Sequence, residues 1–120
     1  MFSNTKYSKE VLIDSLTVVK EKALSGEYKN SSVGICGKWT DMLLDDKYGI
    51  GYDLVSVFSP SWGYYSGESY LPIVGDYTHD NLWEGKQLKL RLSLIDHILK
   101  RLEEANQGWL DKLYEEVYSA

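Results

Sequence analysis

Apolar side chains recur every three or four residues along much of this chain, which is the period of an amphipathic helix. Leu12, Leu16, Val19 and Ala23 form the first such series. Ser8 stands before it as an N-cap, and Glu10 falls in the first turn. Gly26 lies where a left-handed residue would end the helix. The pattern predicts a helix from about Lys9 to Ser25. After a polar link, Glu27 to Ser32, the segment VGICGKWTDMLLDD puts Cys36, Trp39, Met42 and Leu43 on one helical face. It predicts a second helix opening within Gly34 to Gly37 and ending near Asp46, before the turn-like KYGIGY. The longest series is Leu88, Leu92, Ile95, Leu99 and Leu102, predicting a helix from Lys86 to about Ala105. Asn106 and Gly108 interrupt it, and Trp109, Leu110, Leu113, Tyr114 and Val117 define a short C-terminal helix.

The middle of the chain breaks this rhythm. DLVSVF, residues 53–58, fits a short helix through Leu54, Val55 and Phe58, and equally a strand, until Pro60 ends it. Ser59 to Gly75 then reads SPSWGYYSGESYLPIVG, with Trp62, Tyr64, Tyr65, Tyr70, three glycines and both prolines. Loops this long inside a small domain are functional or disordered, and disordered segments are poor in aromatics. An ordered aromatic loop follows, with LPIV as a candidate short β element. The expected fold is therefore mainly α, a compact single domain over residues 1–120 with about four helices.

Composition sharpens the picture without naming a reaction. The chain has 120 residues, 43% hydrophobic and 26% charged, as one globular domain would. No apolar run approaches the roughly 18 residues of a membrane span, and MFSNTKYSKE lacks an export pattern. Cys36 is the sole cysteine, which excludes an internal disulfide and fits a reducing cytoplasm. A formal charge of -5 argues against broad nucleic-acid binding. Ten tyrosines and four tryptophans exceed what so small a core can hide, so some are expected at a contact surface or in a homo-oligomer.

Four constellations could carry chemistry. Gly34-Ile35-Cys36-Gly37-Lys38 opens a helix, where free backbone N–H groups, the positive end of the dipole and the lysine all favour an anion. The alternative is an ordinary helix start with Ile35 and Cys36 packed inward. Arg91 falls in the middle of the apolar arc of Leu88, Leu94, Ile95, Ile98 and Leu99 at about 100° per residue. A charge placed there needs a partner: a phosphate or carboxylate ligand, or an internal acid such as Asp41, Asp45 or Asp53. Lys86, Lys89, His97, Lys100 and Arg101 make a basic outer stripe, which reads as a ligand-attracting face or as a plain solvated one. In the loop, Trp62, Tyr65 and Tyr70 could wall a base beside Ser66 and Gly67, with Arg91, Lys38 and the Gly34–Gly37 amides holding phosphate. The same rings would also anchor a protein interface.

Catalytic signals are sparse. His79 and His97 are the only histidines, and no zinc-ligand spacing occurs. His79 with Asp76 and Asp80 is the single candidate acid–base group, and Cys36 lacks an identifiable base. No catalytic residue, metal or cofactor is expected.

Several of these motifs together resemble a group of small tailed-phage proteins: Gly34-Ile35-Cys36, Trp62, Ser66-Gly67, Tyr70 with Pro72 to Val74, Leu82-Trp83 with Gly85, and Leu90 to Leu99. The likeness spans roughly two-thirds of the chain, by a count of the motif region that omits the first and last helices. The group's loop motif usually carries proline after the tryptophan; here Gly63 stands there, which puts the loop geometry in question. The resemblance brings no assigned reaction. It implies a viral accessory protein of the infected cell's cytoplasm, of a kind that neutralises host defence. The expected partner is a nucleotide-like small molecule, sequestered without catalysis. The alternatives are a host protein bound through the aromatic loop and acidic surface, or hydrolysis of a nucleotide signal.

Overall fold

A computed structural model describes residues 7–43, 78 and 80–119. Four helices make up most of these: α1 (Lys9–Leu24), α2 (Ile35–Met42), α3 (Gly85–Glu104) and α4 (Gln107–Ser119). There is no strand among the described residues, so the fold is mainly α. Residues 53–58, the Ser59–Gly75 loop with its LPIV piece, and His79 lie outside the described residues. No helix among the described residues is long and apolar enough to cross a membrane.

α1 is the spine. Ser8 Oγ accepts from Val11 N at 3.2 Å and caps its start. Its end is a Schellman motif: Gly26, at φ +84°, donates to Ala23 O, and Glu27 donates to Lys22 O. The helix runs antiparallel to α3, because its later residue is tied to the earlier residue of that helix. Lys9 Nζ donates to Glu103 O at 2.7 Å near the C-terminus of α3, where a cation complements the dipole. Lys20 pairs with Asp96 at 2.6 Å farther along. Lys9 N also donates to Gln107 Oε1, joining the start of α1 to α4.

Both α2 and α3 pack on α1. Leu12, Leu16, Val19 and Ala23 of α1 are buried together with Ile35, Cys36, Trp39 and Leu43, and with Leu94, Ile95, Ile98 and Leu102. One polar chain crosses this core. Trp39 Nε1 donates to Ser15 Oγ at 2.8 Å, and Ser15 Oγ donates to Leu12 O at 3.0 Å. Ser15 lies three residues after Leu12 and four before Val19, on the buried face, and solves the pairing problem of an indole N–H placed inside.

Four boundaries and faces differ from the sequence expectation. α2 stops at Met42, not near Asp46, because Leu43 adopts an extended backbone that turns its side chain into the core. The buried face of α3 is Gln87, Arg91, Leu94, Ile95, Ile98 and Leu102, so Ile95 and Leu102 of the expected series are inside while Leu88, Leu92 and Leu99 are only partly buried. Asn106 does not merely interrupt: its Oδ1 accepts from Trp109 N at 2.7 Å, and α4 opens two residues before Trp109. Gly108 is accordingly inside α4 rather than a breaker.

Ser15→Ala should cost about 1–3 kcal/mol, the penalty for leaving the buried Trp39 N–H without its acceptor. Urea unfolding of the variant checks this. A loss below about 0.5 kcal/mol, the scale of an ordinary surface substitution, would show that the hydroxyl bears no such load.

Candidate functional site

The link between α1 and α2 is folded tightly. Lys29 N donates to Gly26 O, and Ser31 N donates to Tyr28 O, with Asn30 at φ +69° inside the second turn. Asparagine tolerates that left-handed conformation. These turns direct Tyr28 inward, where it is 5% exposed. A second turn ahead of α3 orders the approach of Trp83. Asn81 Oδ1 accepts from Thr78 N at 2.8 Å, and Glu84 N donates to Asn81 O. Trp83 Nε1 then donates to Val33 O at 2.7 Å, across fifty positions of sequence. The Tyr28 and Trp83 rings meet at 5.1 Å between centroids, tilted by 60°, a favoured arrangement for two aromatics. Lys38 Nζ lies 4.5 Å from the Tyr28 ring centroid, a cation–π contact.

This cluster stands beside the opening of α2. The N-cap is Gly34, which has no side chain to cap with, and the first helical bond is Lys38 N to Gly34 O. Gly34 therefore caps none of the first N–H groups of α2, and Lys38 stands in the turn at the positive end of the dipole. Ile35 and Cys36 are buried, at 0% and 2% exposed, which is the inward packing expected of an ordinary helix start. Gly37 has a packing reason of its own: a Cβ there would stand 2.5 Å from Val33 Cγ1.

Of the residues singled out by sequence, the structure brings Gly34 to Lys38 together with Tyr28, Val33 and Trp83. Arg91 lies on α3, about 9 Å along the helix from Gly85 at 1.5 Å per residue. It is 4% exposed and donates to Gln87 O at 3.5 Å and Gln87 Oε1 at 3.2 Å. Its predicted place on the apolar arc is the place it occupies. Trp62, Tyr65, Ser66, Gly67 and Tyr70 lie outside the described residues, as do Asp45, Asp53 and Asp76. On the basic stripe, Lys86, Lys89, Lys100 and Arg101 are exposed and His97 is half-buried. Among the described residues, no three His, Cys, Asp or Glu side chains come together as a metal site.

Tyr28 was not legible as a site residue, since it sits in a polar link. Its one signal is being the lone aromatic between a helix-ending glycine and the next helix. Among the described residues its hydroxyl, which is buried, has no hydrogen-bond partner, and nor does Thr40 Oγ1. The two differ in weight. A helical threonine can rotate to reach the carbonyl one turn back, whereas a phenol oxygen is fixed at the end of its ring. Burial pushes the Tyr28 hydroxyl above its ordinary pKa of 10.0, and the charges of Glu27 and Asp41 add to the rise.

A shallow, open groove lies at the other end of α3, lined by Arg101, Glu104, Ala105, Asn106 and Trp109, with Trp109 42% exposed. No protein-family model, curated protein or solved structure matches the chain.

The raised Tyr28 pKa fixes a sign. The unfolded chain releases this proton more readily, so the folded state keeps its full contribution below pH 10 and loses it as pH rises through the folded value. Stability should fall more steeply above pH 10 in the natural chain than in Tyr28→Phe. Urea unfolding of both at pH 8 and above pH 10 measures the difference, and a steeper fall in Tyr28→Phe would contradict it.

Proposed function

We propose that this protein is a non-catalytic binder that sequesters a nucleotide-derived small-molecule signal, as a phage-type accessory protein countering host defence in the cytoplasm of the infected cell. The observation that carries the reading is the opening of α2: a helix N-terminus with no side-chain cap, a glycine at each end of its first turn, and Lys38 held beside it over Tyr28. Phosphate is the common group that this combination suits, because amide donors, helix dipole and ammonium all stabilise it. Arg91 is the further phosphate-holding group in this proposal, its guanidinium also donating to Gln87 Oε1 at 3.2 Å. Trp62, Tyr65 and Tyr70 supply the base wall in this proposal, next to Ser66 and Gly67.

A second reading, inhibition of a host protein, draws on a different observation. Trp109 is exposed beside Arg101 and Glu104 at the α3–α4 corner, and tryptophan with arginine is the usual make-up of an interface anchor. A homo-oligomer formed through such aromatics belongs to the same class of contact.

Heat denaturation separates the readings. Protein purified from cells with an active nucleotide-signalling defence should release an intact nucleotide, visible by its ultraviolet spectrum. Release of cleaved nucleotide would replace sequestration with hydrolysis. No ligand, together with no thermal shift across a nucleotide panel, would favour the protein inhibitor. Gly37→Ala provides the residue-level check. Its helix-propensity gain of up to about 1 kcal/mol roughly offsets the displacement of Val33, so stability should change little. Nucleotide affinity should fall, because the added methyl group crowds the first turn. Unchanged affinity would remove the α2 opening from the site.

A further inference from the structure

The Tyr28 hydroxyl has no structural use that the described residues reveal. It is buried without a hydrogen-bond partner, and a donor in that state destabilises the fold that holds it. Phenylalanine would fill the same space, keep the ring contact with Trp83 and keep the ring under Lys38. The hydroxyl is thus a donor that the described residues leave for a ligand to meet.

The neighbourhood identifies the chemistry of that partner. The Tyr28 and Trp83 faces are already engaged with each other at 5.1 Å, and Trp83 is only 2% exposed. A base cannot stack between them, so recognition has to run through the hydroxyl and not through a ring face. The proton stays on the phenol well into the alkaline range, which makes it a donor in search of an acceptor. Lys38, whose Nζ lies 4.5 Å from the ring centroid, is a half-buried side chain on a flexible stem and brings further donors. The two donors together suit an oxyanion. Glu27 and Asp41 oppose it, but Glu27 is paired with Lys22 at 3.4 Å and Asp41 is exposed to water, where screening weakens its effect.

We propose that the Tyr28 hydroxyl is a ligand contact, donating to a phosphoryl oxygen that Lys38 takes up when its side chain leaves the Tyr28 ring. This rests on the sequestration reading and adds to it a specific donor and a cover: Lys38 lies across the phenol in the empty protein and turns to the ligand in the loaded one. The phosphoryl group could belong to a nucleotide or to a free phosphate species.

Calorimetry with adenosine monophosphate and with inorganic pyrophosphate tests this on the whole protein, in the natural chain, Tyr28→Phe and Lys38→Gln. Tyr28→Phe should fold with a melting temperature equal to or above that of the natural chain, and should bind at least ten-fold more weakly. Lys38→Gln should weaken binding as well. Preference for the monophosphate over pyrophosphate identifies a nucleotide as the source, and the reverse identifies free phosphate chemistry. If the natural chain binds and Tyr28→Phe binds equally well, the hydroxyl is no contact and this inference falls while sequestration stands. A melting temperature several degrees lower in Tyr28→Phe would also overturn it, by showing that the hydroxyl has a structural partner such as Asp41. If the natural chain binds neither probe and is purified without any nucleotide, sequestration and this inference fall together.

Discussion

The hydrogen bond from Trp83 Nε1 to Val33 O is the contact on which the arrangement of the candidate site depends. It joins the residue two before α3 to the residue just before the N-cap of α2, and so closes the end of the bundle where α1 finishes. With it, the Trp83 ring is positioned against Tyr28, Tyr28 lies under Lys38, and the opening of α2 is held at a defined place on the surface. The bond is short at 2.7 Å, and Trp83 is almost fully buried, so it works in surroundings where an unmade hydrogen bond is costly.

The rest of the bundle serves to keep that end in place. α1 carries a partner on each side, fixed by Trp39 to Ser15 on the α2 side and by Lys9 and Lys20 on the α3 side. The buried polar chain through Ser15 gives α2 one rotational setting on α1, because an indole N–H has a single direction in which to donate. That setting turns Ile35, Cys36 and Trp39 inward and leaves Lys38 toward the link. The lysine reaches Tyr28 because the core decides which face of α2 is left over.

Much of the helical framework could be read from the sequence. The Ser8 cap, the Gly26 terminus and the apolar series of α1 were all visible, and Arg91 was correctly placed on the buried side of α3. What failed to show follows from the range of the interactions involved. The early end of α2 depends on Leu43 leaving the helix to reach the core, a tertiary effect with no local signal. The burial of Gln87 on α3 in place of Leu88 has the same origin, since pattern alone ranks leucines above polar residues. For the site, Gly34 to Lys38 stood out by composition. Tyr28 did not, because its role arises from Trp83, fifty-five positions away in sequence, and from a turn built on Asn30. The aromatic loop of residues 59–75 drew attention first; the described residues add a second aromatic pair, Tyr28 and Trp83, that a reading of that loop would not reach.

The central claim is that the opening of α2 receives a phosphorylated ligand. Amide chemical shifts recorded by NMR as adenosine monophosphate is added test it most directly. The account predicts saturable shifts concentrated at Ile35, Cys36, Gly37 and Lys38, accompanied by the Trp83 indole N–H. Shifts confined to the outer face of α3, at Lys86, Lys89, Lys100 and Arg101, with residues 34–38 unmoved, would contradict it.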